Sequence, residues 1–434
     1  MKALAREQVI ALDKAHVWHP YTPMEEYIAE VNPLVIARAS GSRLFDVDGR
    51  SYLDGNSSWW CAALGHNHPR LVHALQSQAE RLSHTALAGM THEPAALLAK
   101  NLVAVAPAGL EHVFFSDDGS TAVEVALKMS LQYWAQNGRP ERTRFVAFDG
   151  AYHGDTLGAT ALMGVEVFRR PFASVLIECL RVPAASDGYE RAFAALEQLL
   201  EREGDRIAAV VLEPMVQGAA GMRTYDAEFL RRARALTKQH DVILVLDEVF
   251  SGYGRTGPMW AGDHAGIAPD ILCTAKGFTG GMLPMSATLT TRRIFEGFFG
   301  GSERAFYYGH TFTGNPLGAA IALEVLRVYE EECVLERAAG KAERIRSAFA
   351  GFANLPGVAT TRSLGMIGVL ELQGRQSYLE RGGLRVYHEA LRRGAYLRPM
   401  GNVVYITPPL NITDADLDEL LGIVEGSVRS LTSS

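Results

Sequence analysis

Lysine is scarce in this chain of 434 residues: seven of the 42 basic residues are lysine, at positions 2, 14, 100, 128, 238, 276 and 341, and the rest are arginine. A lysine in an unusual setting therefore carries information. The cysteines (Cys61, Cys179, Cys273 and Cys333) stand far apart without a C-x-x-C pair. That spacing suggests neither a zinc cage nor a disulfide framework and fits a reducing compartment. No run approaches the ~18 uncharged residues of a membrane span, and Met1 to Lys14 mixes charges without the apolar stretch of a leader. The expectation is a cytoplasmic protein with no membrane partner. An excess of positive charge is also lacking. Lys plus Arg (42) against Asp plus Glu (49) gives a net charge of -7, the wrong sign for neutralising phosphate backbones, so nucleic acid is not an expected partner.

What is present is ordinary globular composition, 48% hydrophobic and 21% charged, enough for a substantial core and two domains. No repeat or low-complexity block occurs, and Ser430 to Ser434 reads as a frayed tail. Short apolar runs recur at Val113 to Phe115, Phe145 to Phe148, Ala208 to Leu212, Val242 to Leu246, Ile271 to Cys273 and Ala287 to Leu289. Helix-like stretches such as Thr121 to Ala135 and Ala227 to His240 separate some of them. This alternation predicts an α/β fold with a mainly parallel sheet covered on both faces. Residues 30 to 54 read as a β-meander, with Pro33 to Ile36 and Leu44 to Val47 joined through Gly41 and closed by Asp48-Gly49. The last hundred residues mix helices with strands at Met366 to Leu372 and Asn402 to Thr407. We assign 1–60 and 325–434 to a smaller α+β domain and 61–324 to a large one.

Ligands of open α/β sheets lie beyond the carboxyl ends of the strands. Five strand candidates end there in Ser116-Asp117-Asp118-Gly119-Ser120, Asp149-Gly150-Ala151-Tyr152-His153, Glu213-Pro214, Asp247-Glu248 and Ala275-Lys276-Gly277. Lys276 follows a strand and precedes small residues; burial there lowers a lysine pKa and frees a nucleophilic amine for Schiff-base chemistry. A solvated loop lysine is the plainer alternative. Asp247 follows a run too apolar to be exposed, so its carboxylate needs donors or a cationic partner. A protonated pyridine nitrogen would serve, and so would a turn that it caps. Gly119 and Ser120 open a helix expected over Val123 to Trp134, where backbone N–H groups and the helix dipole suit a phosphate. Simple N-capping by Ser120 is the other reading.

Other motifs fail their context. Gly252-Tyr253-Gly254-Arg255-Thr256-Gly257 matches G-x-G-x-x-G, yet Pro258-Met259-Trp260 stands where a helix should begin, which argues against dinucleotide binding. Gly65-His66-Asn67-His68-Pro69 has no carboxylate or cysteine at ligand spacing and reads as a turn before a helix, so no metal is expected. Trp59-Trp60 has polar flanks; in an extended chain the two rings point to opposite sides, so at most one need line a pocket.

A strand-end lysine, an aspartate 276 - 247 = 29 residues upstream and a Gly-Ser helix start together resemble the fold type I pyridoxal-phosphate enzymes. Leu246-Asp247-Glu248-Val249, the Gly252 to Gly257 segment, Pro269-Asp270-Ile271 and Lys276-Gly277 resemble the class III aminotransferases, over most of the chain. Further segments are similar to members that move an amino group from S-adenosylmethionine to 8-amino-7-oxononanoate in biotin formation. These are Trp18-His19-Pro20-Tyr21-Thr22-Pro23-Met24, Ser57-Ser58-Trp59-Trp60, Gly119 to Ala126, Tyr152 to Thr156, Ser286 to Thr291 and Leu397-Arg398-Pro399.

The resemblance implies a seven-stranded sheet and pyridoxal 5'-phosphate as cofactor. Lys276 would carry the covalent link and move the proton, Asp247 would pair with the ring nitrogen, Gly119 and Ser120 would hold the phosphate, and Tyr152 would stack on the ring. His310 and Thr311 would reach the phosphate from a second subunit, implying a homodimer. Tyr21, Trp59, Tyr152, Arg255, Lys276, Gly309 and Arg398 would contact substrate. Relatives using adenosylmethionine often read His-Gly-Pro-Thr where this chain has Tyr308-Gly309-His310-Thr311, so lysine stays open as donor. The rival functions are a class III enzyme acting on another ω-amine, a fold type I protein kept as a binding module and a nicotinamide dehydrogenase.

Overall fold

The computed structural model describes residues 4–374 and 380–432. At its centre a seven-stranded sheet runs in the order Leu110–Ser116, Ser286–Thr291, Ile271–Thr274, Ile243–Asp247, Ile207–Leu212, Arg144–Phe148 and Cys179–Val182. Ser286–Thr291 is antiparallel to both its neighbours and every other pairing is parallel. All strands but that one therefore present their carboxyl ends on one side, and the expected strand-end residues collect there.

Ile207–Leu212 and Ile243–Asp247 are buried at every position because helices cover both faces. Alternate residues serve the two layers, as a pleated strand requires. Val210, Leu212, Leu244 and Leu246 pack with Leu196, Leu200, Phe229 and Leu230 of the helices Tyr189–Glu203 and Ala227–Gln239. Ala209, Val211, Ile243 and Val245 pack with Val123, Ala126 and Leu127 of the helix Gly119–Gln136. The strand Cys179–Val182 was not among the apolar runs. It is a half-buried edge in which Arg181 donates to the carbonyls of Ala161 and Leu162, so it needs little hydrophobicity to stay in place.

Two small sheets come from the chain ends. One is antiparallel, from Val358–Leu364, Ile367–Leu372 and Val403–Ile406. The other joins Ile36–Ser40, Arg43–Asp46 and Ser51–Asp54 to Ala395–Tyr396, which aligns in parallel with Leu53 and Asp54. The first meander strand lies later than the Pro33 to Ile36 expected, since Pro33 has no N–H to give to a ladder. The turns at Gly41 and Gly49 are as expected, with φ of 55° and 84°. Of the expected tail, Ser430–Thr432 forms a 3-10 turn, while Ser433 and Ser434 lie outside the described residues. Among the described residues no helix is long and apolar enough to cross a membrane.

Candidate active site

A cavity of about 630 Å³ opens at the carboxyl ends of the parallel strands, within the usual range for small-molecule sites. Its charged floor comes from strand ends. Lys276 follows Ile271–Thr274 with a left-handed φ of 51°, and its Nζ lies 4.5 Å from the Trp60 ring centroid and 5.8 Å from that of Phe250. Burial holds its ammonium below the ordinary lysine pKa, offset in part by Cys61, Asp247 and Glu213. The scarce lysine is thus an amine biased toward its neutral, nucleophilic form.

Asp247 closes Ile243–Asp247 and is buried. Its Oδ1 accepts from Val249 N–H at 3.0 Å, and its Oδ2 lies 2.7 Å from Nδ1 of His153. The Nε2 atom of His153 is buried with no hydrogen-bond partner. Glu213, one residue past Ile207–Leu212, accepts from the N–H groups of Tyr152 (3.0 Å) and Gly218 (2.9 Å). Burial pushes its carboxyl up to about 7, Asp247 adding to the rise and His153 opposing it.

The anion end lies at the N-terminus of Gly119–Gln136. The cap is Asp118, not Ser120: its Oδ1 accepts from Thr121 N–H at 2.9 Å, and Thr121 Oγ1 accepts from Asp118 N–H at 2.9 Å. The Ser120 hydroxyl instead accepts from Asp155 N–H at 3.1 Å. Gly119 and Ser120 line the cavity, with N–H groups in the first turn, where a helix has no carbonyl of its own to offer them. A Cβ on Gly119 would come within 2.6 Å of a Val249 methyl, so this approach needs glycine.

An aromatic wall completes the cavity. Tyr21 stands edge-on to Trp59 and Phe168, with centroids 5.8 and 5.2 Å away. Its hydroxyl donates to Asp155 Oδ2 at 2.5 Å, and the Tyr152 hydroxyl reaches the same oxygen at 2.8 Å. Burial, together with Tyr21 and Asp155, pushes the Tyr152 phenol far up. The Arg398 guanidinium stacks 3.3 Å from the centroid of Trp59. The tryptophan pair departs from the extended chain expected. Ser57, Ser58, Trp59 and Trp60 take φ of 48°, 45°, 64° and 74°, a left-handed turn that brings both tryptophans to the cavity. Each such non-glycine residue costs about 1–2 kcal/mol, so the surroundings must hold the turn. Ser57 Oγ donates to the Thr407 carbonyl at 2.7 Å, Ser58 Oγ to Asp54 at 2.8 Å, and Trp60 Nε1 to the Tyr405 hydroxyl at 3.2 Å.

The cavity gathers Tyr21, Trp59, Gly119, Ser120, Tyr152, Asp247, Lys276 and Arg398. Four other candidates are not part of its lining. Arg255 is buried and donates to the Pro408 carbonyl at 2.7 Å, because its turn is pinned by the Met366 N–H bond to the Arg255 carbonyl at 3.0 Å. Gly309 and Thr311 are exposed. His310 Nδ1 lies 2.7 Å from Asp117 Oδ2, and its Nε2 lies 2.9 Å from the Tyr308 hydroxyl. The Gly252 to Gly257 segment is a turn with no helix opening on it, and His66 pairs with Asp54 at 2.8 Å. Four wall and floor residues escaped the sequence reading as site residues: His153, Asp155, Phe168 and Glu213. The signal of His153, Asp155 and Glu213 was their place after strands; Phe168, in the short helix Glu166–Arg169, had none.

The aminotransferase class III profile matches residues 27–428. The adenosylmethionine-8-amino-7-oxononanoate aminotransferase of Geobacter sulfurreducens is 40% identical, covering 97% of both chains. The protein of that name from Nitratidesulfovibrio vulgaris is 43% identical over 97% of this chain and 82% of its own. The crystal structure of the Methanocaldococcus jannaschii enzyme of that name superposes with a TM-score of 0.94 at 36% identity, covering 98% of this chain and 99% of the other. An omega transaminase from Pseudomonas jessenii, solved in complex with PMP, gives 0.92 at 28% identity, covering 98% of each chain. A buried amine, a buried carboxylate and a glycine-dependent anion cradle on one cavity fit pyridoxal phosphate. The chain belongs to the class III aminotransferases, fold type I enzymes that depend on pyridoxal 5'-phosphate.

Proposed function

We propose that this enzyme transfers the amino group of S-adenosylmethionine to the C7 ketone of 8-amino-7-oxononanoate, giving the 7,8-diamine on the route to biotin, in two half-reactions that share one cavity. Pyridoxal phosphate, when bound, supplies the electron sink that lets an amino group leave one carbon skeleton and join another. The Nζ of Lys276 would hold the cofactor and then, as a neutral base released in the same place, carry a proton at the reacting carbon. The Asp247 carboxylate, oriented by Val249 N–H and His153, would keep the ring nitrogen protonated. The N–H groups of Gly119 and Ser120 would hold the phosphate, and Tyr152 would cover the ring.

The observation that carries the substrate reading is the Trp59–Arg398 stack beside Tyr21. A long aliphatic acid offers few polar handles, and a guanidinium fork suits its terminal carboxylate. The same ring faces favour a desolvated sulfonium. Full-length relatives named for this donor and acceptor, at 40% and 43% identity, support it. Single-turnover mixing tests the donor. Adenosylmethionine should convert the bound cofactor to its amine form, with 8-amino-7-oxononanoate reversing the change. Conversion by lysine alone would replace the donor and leave the acceptor in place; conversion by neither would point to another ω-amine.

The working form in this reading is a homodimer. Tyr307 and Phe312 are 72% and 56% exposed on either side of Gly309 to Thr311, an apolar surface suited to a second copy, which would bring His310 and Thr311 to the partner's phosphate site. Sedimentation at micromolar concentration should show a dimer, and Thr311→Ala should weaken cofactor retention. The four cysteines are free thiols, in keeping with a cytoplasmic location.

A further inference from the structure

The strap that carries Tyr21 is flanked by a polar clasp whose residues are not part of the cavity lining. The clasp joins two N-terminal helices, Arg6–His16 and Met24–Glu30, and the strap between them. Asp13, on the first helix, accepts from the Tyr27 hydroxyl of the second at 2.6 Å. The same carboxylate has His19 Nε2 at 3.0 and 3.1 Å from its two oxygens. The His19 ring packs on that of Tyr27, centroids 4.5 Å apart, and Lys14 Nζ donates to the Ile28 carbonyl at 2.8 Å. The Tyr27 bond outweighs burial and holds the Asp13 carboxyl below its ordinary pKa. A single ionised group thus ties together both helices and the first residues of the strap.

The strap has little freedom of its own. His19 and Thr22 each precede a proline, which confines them to extended conformations, and Tyr21 between them sits at a left-handed φ of 53°. A tyrosine in that conformation persists only where its surroundings enforce it. At its inner end the Tyr21 hydroxyl reaches Asp155 and lies 3.2 Å from that of Tyr152; at its outer end the strap begins at His19, which the clasp holds.

We propose that Asp13, His19 and Tyr27 are positioning residues that set amino-donor recognition by fixing Tyr21 against Asp155. The inference rests on the function proposed above only for the identity of the donor. It requires Tyr21 to be presented by a strap whose hold can be released without touching the cavity.

The experiment uses the cofactor-loaded enzyme in single-turnover donor titrations, with amide exchange across Val17 to Met24. Asp13→Ala, His19→Leu and Tyr27→Phe should each raise the donor concentration for half-maximal rate about five- to tenfold, the scale of one or two lost hydrogen bonds. The limiting rate should stay nearly unchanged, and exchange should quicken in the strap while the central sheet stays protected. His19→Gln, which keeps a donor for Asp13, should restore most of the affinity. In a Tyr21→Phe background, which itself weakens donor binding, the clasp substitutions should add less than about twofold, because they act through the lost hydroxyl. Unchanged donor affinity in all three clasp variants overturns the proposal, and so do effects that add in full to Tyr21→Phe. A silent Tyr21→Phe overturns it together with the place of Tyr21 in donor recognition. If adenosylmethionine does not react, the proposed function falls, and the same variants with the amine that does react still decide the clasp.

Discussion

The floor and the wall of the cavity are built by different means. Lys276, Asp247, Glu213 and the Gly119–Ser120 helix start all leave strands of one sheet, and the parallel register that aligns Asp247 with Cys273 brings them together by main-chain geometry. The wall draws Tyr21 from the N-terminal strap, Trp59 from a left-handed turn, Phe168 from the short helix Glu166–Arg169 and Arg398 from beyond Ala395–Tyr396. None of these lies on a strand of the central sheet; turn bonds such as Trp60 N–H to the Asn56 carbonyl at 2.8 Å and side-chain bonds such as Arg398 N–H to Asn56 Oδ1 at 2.6 Å hold them. In the proposed function the chemistry common to aminotransferases would thus rest on strand ends of the central sheet, and discrimination between substrates on segments outside it.

The sharpest way to break this division is at the floor. Lys276→Ala should lower turnover by about 10³-fold or more, as expected for loss of a nucleophile that is also the acid–base group. Borohydride treatment followed by mass spectrometry should find no fixed adduct, while the cofactor is still held by its other contacts. A retained adduct would move the link to another lysine. Asp247→Asn should cost about a hundredfold in both half-reactions, the usual scale for removing a preorganised charge.

A wall substitution should instead separate the halves. Arg398→Ala should raise the acceptor KM about ten- to a hundredfold and leave the donor half-reaction largely intact, since the lost bidentate contact belongs to one substrate. Equal losses in both halves would make Arg398 part of the shared machinery. Arg255 sharpens the comparison from outside the cavity. Arg255→Gln should reduce stability by about 1–3 kcal/mol through the buried Pro408 carbonyl it leaves unmet, without a selective change in either KM. A KM effect confined to the acceptor would return Arg255 to the substrate site.

The smallest effect concerns pH. Burial raises the carboxyls of Glu213 and Glu248 from 4.5 to about 7. Between those values the folded chain holds protons that the unfolded chain has released. Stability from these groups is therefore fully present below 4.5 and lost as pH rises through 7. Urea unfolding of the cofactor-free protein should show this decline, and Glu213→Gln should flatten part of it. A slope identical to wild type would mean that Glu213 is already ionised.

Most of the sheet and the floor could be read from the chain because both depend on local signals. Short, uniformly apolar and partly β-branched runs alternating with helix-like stretches read as buried strands, and Asp247 and Lys276, at or just past two of them, read as strand-end residues. The edge strand Cys179–Val182 carried too weak a signal, and the first meander strand was displaced because Pro33 cannot enter a ladder. Capping by Ser120, the alternative to a phosphate site there, gives way to Asp118 because the helix starts at Gly119, four residues before the expected Val123.

The sequence by itself determined the α/β class, the strand ends that carry the amine and the carboxylate, and the family. These follow from hydrophobic periodicity and from residue types placed beside it. Only the tertiary structure decided that Trp59 and Trp60 face the same cavity, that Arg255 is withdrawn from it and that Asp155 is shared by two tyrosines. Each of these depends on contacts between segments far apart in the chain, such as Ser57 with Thr407 or Arg255 with Pro408, and on a left-handed turn at Ser57 to Trp60. Side-chain types and spacing along one segment contain neither the distant partner nor the sign of φ that the partner enforces.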